Sequence, residues 1–266
     1  REFFSSKTFA IDAIPNKDEY RIKVLEWCKL MGEKGYGALS FPEEYGGMND
    51  FWAYGALFNV MAQKDISLTI KYGVQFGLFG GSVYWLGTKY HHDKYLRDLA
   101  HLDLAGCFAM TETGHGSNVR GLETTATYDH NTKSIVIQSP NLAAGKEYIG
   151  NAIHSSMAAV FCQLIVDGEN HGVHAVLATI RDKDGQLVDG VKVEDCGYKM
   201  GLNGVDNGRI WFDNLKVPAE NLLNKYGGIN DEGAYESPIT NPSKRFFITL
   251  GALVVGRICV GMLGIN

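Results

Sequence analysis

The sequence has few cysteines, and they are poorly placed for cross-linking or metal binding. The five cysteines among 266 residues are odd in number, widely spaced and form no CxxC pair. This pattern argues against a disulfide framework or a zinc site, and it favours a reducing compartment with all five thiols simply buried. Since none of the eight histidines pairs with Cys or Asp at metal-ligand spacing, we predict no metal site.

The sequence also lacks the marks of nucleic-acid-binding, secreted and membrane proteins. A formal net charge of -5 gives no basic footprint for nucleic acid, although a local cluster can still bind phosphate. Residues 1–4 have neither the basic start nor the apolar segment of a secretory signal. The apolar run 246–265 approaches the ~20 residues that span a bilayer, but Arg257 interrupts it and it contains four glycines. We expect a helix buried against other helices, not a membrane span.

What the first hundred residues do contain is helical periodicity. In residues 18–34, apolar residues recur at spacings of three and four, and Gly35 and Gly37 end this helix. Further helices are predicted at about 51–63, 67–86 and 92–102. His91 and His92 are assigned to an exposed helix start, and the turn-rich loop 40–50 to the surface.

Near Ala105 the pattern changes to short β-branched segments separated by turns. The predicted strands are 134–138, 159–166, 173–180, 191–193 and 209–212. Strands without intervening helices predict an antiparallel barrel or sandwich. The helical pattern returns at Lys244 and continues to the last residue, so we expect the chain to stop inside a helix of a longer protein. The predicted fold class is α+β, with an N-terminal α-helical domain at 1–104 and a middle antiparallel β-barrel or sandwich domain at 105–225. A linker and the start of a truncated C-terminal helical bundle follow at 226–266.

Three glycine-bearing segments carry the candidate chemistry. The first, FAMTETGHGSNVR at 108–120, combines glycines with Thr and Ser hydroxyls. Close backbone N–H groups and orientable donors suit a phosphate or the pyrimidine edge of a flavin. The segment matches neither a Walker loop nor a GxGxxG motif. On its own residues, a plain polar turn remains the favoured interpretation.

The other two segments are equally ambiguous alone. In GKEYIGNA at 145–152, Tyr148 is able to stack on a planar cofactor and Gly150 to leave room beside it, but the segment also fits a strand end with an exposed aromatic. DNGR at 206–209 fits either a substrate contact or a type I′ hairpin turn.

Five segments in order resemble landmarks of the acyl-CoA dehydrogenase/oxidase superfamily. FPEEYGG at 41–47 resembles the surface loop of its helical domain, and LGTKYHHDKYL at 86–96 its GTxxQKxKYL-type element. FAMTETGHGSN at 108–118 resembles its flavin loop, commonly written TEPxxGSD. GKEYIGNA lies where dehydrogenases have K-x-W-I-T-N, and WFDNLKVP at 211–218 resembles the LxFxNVxVP strand and turn. RGLETTATYD at 120–129 is close to an oxidase signature, so the resemblance is to acyl-CoA oxidases.

The resemblance implies FAD as cofactor and assigns its contacts to seven residues. In an ungapped alignment with oxidases, the two flavin contacts fall on Thr111 and Gly150. The remaining assignments are Phe108 and Met110 along the flavin, Gly116 and Ser117 near a flavin phosphate or the acyl-CoA, and Tyr148 at the flavin face. Glu112 is expected to hold the loop structurally. Dehydrogenases generally have Thr at the position of Gly150, so a glycine there is expected to widen oxygen access. One departure is the Tyr148–Asn151 run, where oxidases tend to have tryptophans and PGG.

The implied function is FAD-dependent α,β-oxidation of a fatty acyl-CoA to trans-2-enoyl-CoA, with electrons passed to O2 to give H2O2. A carboxylate removes the α proton while the β hydrogen leaves as hydride. The family's catalytic glutamate lies beyond Asn266, so no catalytic base is assigned here and these residues alone are expected to be inactive. A homodimer is implied for the full-length protein, in the cytoplasm or, in a eukaryote, the peroxisome. The alternatives are a dehydrogenase using an electron-transferring flavoprotein, and a catalytically silent acyl-CoA-binding or partner-binding module.

Overall fold

The computed structural model describes residues 2–9 and 16–263, and its first part is helical. Its helices are α1 Glu2–Ser5, α2 Lys17–Glu33, α3 Phe51–Ala62, α4 Ile66–Tyr72, α5 Gly80–Leu86 and α6 Lys89–His101. The predicted helix at 67–86 is present, but a π-helical segment, Gly73–Phe79, joins α4 to α5 within it. Such wide turns are rare and are frequently found at functional sites.

Side-chain caps fix where these helices begin. Asn16 accepts hydrogen bonds from the backbone of the first turn of α2, and Asp50 and Asp65 do the same for α3 and α4. Thr88 and His91 form a capping box at the start of α6. Because His91 is 1% exposed and its Nε2 lies 3.0 Å from the carbonyl of Glu220, the prediction of an exposed position is wrong for this residue.

The second part consists of strands, followed by two helices. The strands are β1 Gly106–Ala109, β2 Thr125–Asp129, β3 Ser134–Gln138, β4 Lys146–Ile149, β5 Met157–Val166, β6 Glu169–Thr179, β7 Val191–Asp195, β8 Gly208–Phe212, β9 Leu215–Pro218, β10 Gly228–Ile229 and β11 Tyr235–Glu236. The helices are α7 Pro242–Leu250 and α8 Val254–Leu263. The predicted α+β class is therefore confirmed.

The main sheet is organised around the long strand β5. Its order is β1-β5-β2-β3-β9, and β6 pairs with β5 as an antiparallel neighbour; β4-β8-β7 form a second sheet. Most pairings are antiparallel as predicted, but β1 and β2 both run parallel to β5. The chain leaves the sheet after β1 and returns as β2 in the same direction along β5, which the strand pattern alone did not indicate.

The two faces of β5 bury two different cores. Met157, Ala159 and Phe161 face the helices and join a core that includes α2 to α6. Ala158, Val160, Cys162 and Leu164 face the inside of the β part. This period of two positions the helical part directly against the sheet.

At the surface, an ion cluster ties α2 to β7. The guanidinium of Arg21 donates to both carboxylate oxygens of Asp195 at 2.7 and 2.9 Å, and Lys17 Nζ lies 2.6 Å from the same group. Hydrogen bonding from Arg21 outweighs burial and holds the pKa of Asp195 well below its usual range.

The predicted C-terminal helix packs on one face only. Asn59 of α3 donates a hydrogen bond to the carbonyl of Met262 in α8, and Cys259 is buried. However, Phe247, Val254 and Ile258 are at least half exposed, so the expected burial is met on one side alone. The end of the run, 264–266, lies outside the described residues. Within the described ranges, no helix has the length and apolarity needed to cross a bilayer.

The five thiols are free, and four of them are buried as predicted. Cys196 is the exception, since it is half-buried in the connection between β7 and β8.

His174 couples stability to pH. It is 6% exposed on β6, and its ring lies 3.1 Å from the hydroxyl of Tyr235. Burial lowers the pKa of His174 to about 4. Because the unfolded chain binds a proton near pH 6.5 and the folded chain does so only near 4, stability falls as the pH drops through this window.

We expect this residue to remove roughly 3 kcal/mol from the free energy of unfolding between pH 7 and 4, since one pKa unit corresponds to about 1.4 kcal/mol. Urea unfolding across this range should show a shallower pH slope for His174→Gln than for the unmodified chain. The matched control is His130→Gln, because His130 is exposed beside Asp167. An equal slope in all three proteins would contradict the assignment.

Candidate functional site

The predicted flavin loop is attached to β4 by a short stretch of strand-like pairing. The Glu147 N–H donates to the Thr111 carbonyl at 3.1 Å, and the Thr113 N–H donates to the Gly145 carbonyl at 3.0 Å. The Thr111 hydroxyl also donates to the Glu147 carbonyl at 3.0 Å. These bonds place Thr111 beside the backbone that leads into Tyr148.

Five of the seven predicted cofactor contacts meet along this line. We call residues 108–111 and 147–150 the flavin seam. Phe108 packs against Phe161 with ring centroids 4.7 Å apart, and Met110 is buried; both lie on the sheet face that is turned toward the helices. The seam therefore brings Phe108, Met110 and Thr111 together with Tyr148 and Gly150.

The backbone of the seam is irregular at Tyr148. The pairing of β4 with β8 shifts between Lys146 and Ile149, and Tyr148 and Asn151 have φ values of 54° and 66°. Such conformations cost on the order of 1–3 kcal/mol each and persist where surroundings impose them. Here Asn207 donates to the Tyr148 carbonyl, and the Tyr148 ring is left 64% exposed. A bulge of this kind re-aims a side chain.

These residues fit a flavin. The Thr111 N–H has no acceptor among the described residues, so it is free to bind a carbonyl of a ligand. Tyr148 presents an exposed aromatic ring, and Phe108 presents partly buried apolar surface. A planar group with carbonyl oxygens at one edge matches this set of a donor and flat apolar surfaces.

Gly116 and Ser117 lie elsewhere. They occupy the exposed tip of the loop, which turns toward the helical turn Leu142–Ala144 through a hydrogen bond from Gly114 to the Ala143 carbonyl. Within the described part of the chain, no hydrogen bond joins the tip to Tyr148 or Gly150. Their assignment to a flavin phosphate or the acyl-CoA stays a prediction.

Glu112 and Lys146 form a buried ion pair beneath the loop. Both side chains are inaccessible, with Nζ 3.0 Å from Oε1. Glu112 also accepts from the N–H groups of Glu123 and Thr124 and from the Thr124 hydroxyl. Burial alone would raise the pKa of Glu112, but Lys146 and these donors outweigh it and hold the pKa below its ordinary value. This is the structural role predicted for Glu112.

A second buried pair joins the helical part to the seam. Lys71 of α4 lies 2.5 Å from Asp206, with side-chain exposures of 2% and 0%. Asp206 also accepts from the N–H groups of Ile153 and His154, while Asn151 donates to the carbonyls of Lys71 and Gly106. Burial raises the pKa of Asp206, but Lys71 outweighs it and holds that pKa below its ordinary value.

The structure overturns the hairpin interpretation of DNGR and excludes Asp206 as its substrate contact, while a substrate contact stays a prediction for Arg209, whose side chain is 42% exposed. Asp206 is buried, so it is not a free substrate contact, and it belongs to the long connection 196–207 between β7 and β8, not to a tight hairpin turn. Lys71 was not identified as functional from the sequence. The available signal was a single charge within the apolar run ISLTIKYGVQF, since a buried lysine requires a partner.

The π-helical segment lines an apolar cavity beside the seam. The cavity holds about 370 Å³, within the range of small-molecule sites. It is lined by Tyr54, Phe58, Ile70, Gly73, Val74, Gly77, Leu78, Leu253, Gly256, Arg257 and Val260. Gln75 anchors the segment, because its amide donates to the Leu104 carbonyl and accepts from the Gly106 N–H at 2.7 Å.

Val74 connects this cavity to the seam. A Cβ atom built on Gly150 would lie 3.0 Å from Val74 Cγ2 and 3.7 Å from Val205 Cγ1. The space that Gly150 leaves is thus partly filled by Val74, which is itself 8% exposed.

A second cavity, of about 410 Å³, lies between the β5–β6 turn and the start of α7. Its lining residues are Arg120, Gln163, Asn170, His171, Gly172, Val173, Pro242, Ser243, Arg245 and Phe246. These include two arginines and no carboxylate. Arg245 donates to the carbonyls of Ile239 and His171, whereas the Arg120 guanidinium lies 4.9 Å from the Phe246 ring centroid and has no ion-pair partner in the described residues. This cavity suits an anionic ligand.

For metals, the described residues contain no group of three or more His, Cys, Asp or Glu side chains able to hold an ion.

Two known family profiles together match most of the chain. The acyl-CoA dehydrogenase N-terminal domain profile matches residues 1–103, and the acyl-CoA dehydrogenase middle domain profile matches residues 107–215. Among curated proteins, the chain is 49% identical to peroxisomal acyl-coenzyme A oxidase 3 of Arabidopsis thaliana over 77% of this chain and 30% of the relative.

The solved structures that the chain resembles are also acyl-CoA oxidases. The chain matches the crystal structure of acyl-CoA oxidase 1 from Yarrowia lipolytica with a TM-score of 0.81 and 31% identity, over 93% of this chain and 35% of that one. It matches acyl-CoA oxidase 1 of Caenorhabditis elegans, solved in complex with FAD and ATP, with a TM-score of 0.69 and 28% identity, over 86% and 34% of the two chains. The chain thus spans about a third of the length of these relatives.

Proposed function

The chain belongs to the acyl-CoA dehydrogenase family, of which it carries the N-terminal and middle domains, and from this premise we propose that it is part of an FAD-dependent fatty acyl-CoA oxidase. The overall reaction is acyl-CoA + O2 → trans-2-enoyl-CoA + H2O2. The proposal includes the division of the chain at 104/105 and 225/226, a homodimer, and a peroxisomal location if the source is a eukaryote. The peroxisomal location is proposed from the names of the relatives.

One observation carries the proposal. The flavin seam and the apolar cavity share a wall, because Val74 lines the cavity and its methyl group lies 3.0 Å from the position that a Cβ atom on Gly150 would take. A long apolar substrate in this cavity therefore ends beside the proposed flavin face. This is the arrangement that oxidation at the α and β carbons of an acyl chain requires.

The residues of this chain are assigned to binding and orienting the cofactor and the acyl chain. When bound, FAD would accept the β hydrogen as hydride. Thr111 would hold its pyrimidine edge through the free N–H, and Tyr148 would cover its ring. The apolar lining of the cavity would exclude water from the acyl chain. No residue of the described part is assigned as the base that removes the α proton.

The anionic end of the substrate fits the second cavity. Phe108 pairs with Ala159 on β5, and the cavity begins at Gln163 on the same strand. Four residues of strand span on the order of 13 Å, which leaves room for an extended linker between the reacting carbons and the CoA phosphates. We propose that Arg120 meets a phosphate or pantetheine group there, with Gly116 and Ser117 near the same end.

The test uses the full-length protein. We expect a yellow preparation whose flavin absorbance bleaches when a fatty acyl-CoA is added without air, and which forms one H2O2 per enoyl-CoA in air. Bleaching without peroxide, together with rapid reduction of an electron-transferring flavoprotein, would overturn the oxidase proposal in favour of a dehydrogenase. Bound flavin that no acyl-CoA bleaches would favour a silent binding module.

A variant at the mouth of the cavity tests where the acyl chain lies. Val260 is 60% exposed and lines the cavity, so Val260→Trp should narrow its mouth. Loss of burial of about two methylenes costs about 1.6 kcal/mol, so we expect KM for long-chain acyl-CoA to rise about 15-fold and KM for short chains to change little.

The matched control is Val254→Trp. Val254 is 50% exposed on the same helix and is not among the lining residues of the cavity. Equal effects of the two tryptophans, or no dependence on chain length, would place the acyl chain elsewhere.

A further inference from the structure

The structure changes the expected role of Gly150. A glycine beside the flavin was expected to widen oxygen access, yet neighbouring side chains partly close the space that its missing side chain leaves. Val74 Cγ2 lies 3.0 Å and Val74 Cβ lies 3.9 Å from that point, and Val205 Cγ1 lies 3.7 Å from it. Contacts near 3.0 Å are already tight, because optimal carbon–carbon separations are ~3.5–4.0 Å.

We infer that Val74, and not empty space at Gly150, sets how easily O2 reaches the flavin face. This inference rests on the proposed function, since it takes Gly150 to lie at the flavin. Val74 faces two ways: it packs against the seam at Gly150 and lines the apolar cavity. O2 is small and apolar, so an apolar wall shared by the cavity and the seam is a suitable place to control its passage.

The π-helical segment holds Val74 in this position. Val74 is the second residue of Gly73–Phe79, and Gln75 next to it is fixed by hydrogen bonds to the Leu104 carbonyl and the Gly106 N–H. Gly106 begins the strand that leads into the seam. The hydrogen bonds of Gln75 therefore fix the position of Val74 relative to the strand that leads into the seam.

Val205 provides an internal comparison. It is a second buried valine near Gly150, but it is not among the residues that line the cavity. Val74→Ala removes two methyl groups from the wall shared with the cavity, whereas Val205→Ala removes two from a residue that does not line it. If O2 reaches the flavin face through the cavity, only Val74→Ala opens a path for it.

The experiment measures reoxidation of the reduced full-length holoenzyme by O2 in a stopped-flow instrument, after photochemical reduction so that no acyl-CoA is needed. We expect Val74→Ala to raise the second-order rate constant at least threefold and Gly150→Ala to lower it at least fivefold. The double variant should return to within twofold of the unmodified protein, because the methyl group added at residue 150 partly refills the space left by the two removed from residue 74. Val205→Ala should leave the rate constant unchanged.

A second readout is independent of the flavin. Thermal unfolding of the same four variants should show that Gly150→Ala lowers Tm less when Val74 is already alanine, since the close contact is then absent. Equal rate constants for Val74→Ala and Val205→Ala, or additive effects in the double variant on both Tm and rate, would overturn the inference. The acyl-CoA oxidase proposal fails by a separate result, namely no bleaching of the unmodified holoenzyme by acyl-CoA.

Discussion

Lys146→Met is expected to lower the free energy of unfolding by about 3–5 kcal/mol, the usual cost of removing one partner from a buried ion pair. The variant leaves Glu112 charged and inaccessible, because the N–H donors of Glu123 and Thr124 do not replace the ammonium group. It also removes the hydrogen bonds of Lys146 to the carbonyls of Met110 and Phe161. Urea unfolding followed by tryptophan fluorescence measures the loss.

A control variant and a double variant test whether the loss comes from the unpaired charge of Glu112. Lys23→Met is the matched control, since Lys23 forms an exposed pair with Glu26 on α2, and it should leave the unfolding curve unchanged within error. Glu112→Gln combined with Lys146→Met should recover part of the loss, because glutamine still accepts from the Thr124 N–H. A loss below about 1 kcal/mol for Lys146→Met alone would show that Glu112 does not depend on this partner.

Lys71→Met is expected to cause a loss of similar size, about 3–5 kcal/mol, but with a different dependence on pH. Asp206 would remain buried with His154 Nδ1 3.5 Å from its Oδ2. Removal of the Lys71 charge favours protonation of His154, whose pKa burial lowers in the native chain. The loss should therefore be larger at pH 8 than at pH 6, where His154 partly neutralises Asp206.

Asp206→Asn combined with Lys71→Met tests the electrostatic origin of this effect. The asparagine oxygen still accepts from the N–H groups of Ile153 and His154, and no carboxylate is left unpaired. We expect the double variant to be more stable than Lys71→Met and to have lost the difference between pH 6 and pH 8. A loss that is the same at both pH values in Lys71→Met would contradict this account.

Local signals predicted most of the fold. The helix over 18–34 follows from apolar residues spaced three and four apart and from the glycines at 35 and 37 that end it, and the structure places it at Lys17–Glu33. Ser134–Gln138 was predicted without error because it is a short run of β-branched residues between turns. In contrast, β1, β2, β4 and the short strands β9, β10 and β11 were not among the predicted strands. β1 and β4 have only four residues each and glycines at their borders.

The site was less predictable because its essential contacts are long-range. The order of motifs identified the segments containing Thr111 and Gly150, and pairing of 111–113 with 145–147 brings them together. No local pattern indicates that Lys71 contacts Asp206, 135 positions later, or that Val74 contacts Gly150. The π-helical turn that presents Val74 has the same composition as an ordinary helix, so its width depends on tertiary contacts such as those of Gln75.

The parallel pairing of β1 and β2 with β5 has a consequence for how members of this family can diversify. Ala109 pairs with Val160 and Thr125 with Gln163, so the two ends of the loop 110–124 are fixed only three residues apart on one strand, on the order of 10 Å. A loop with such close ends can lengthen at a small entropic cost, about 0.6 kcal/mol for each doubling. Insertions at its exposed tip would therefore leave the sheet register intact, and new ligand contacts could be acquired there while the scaffold stays the same.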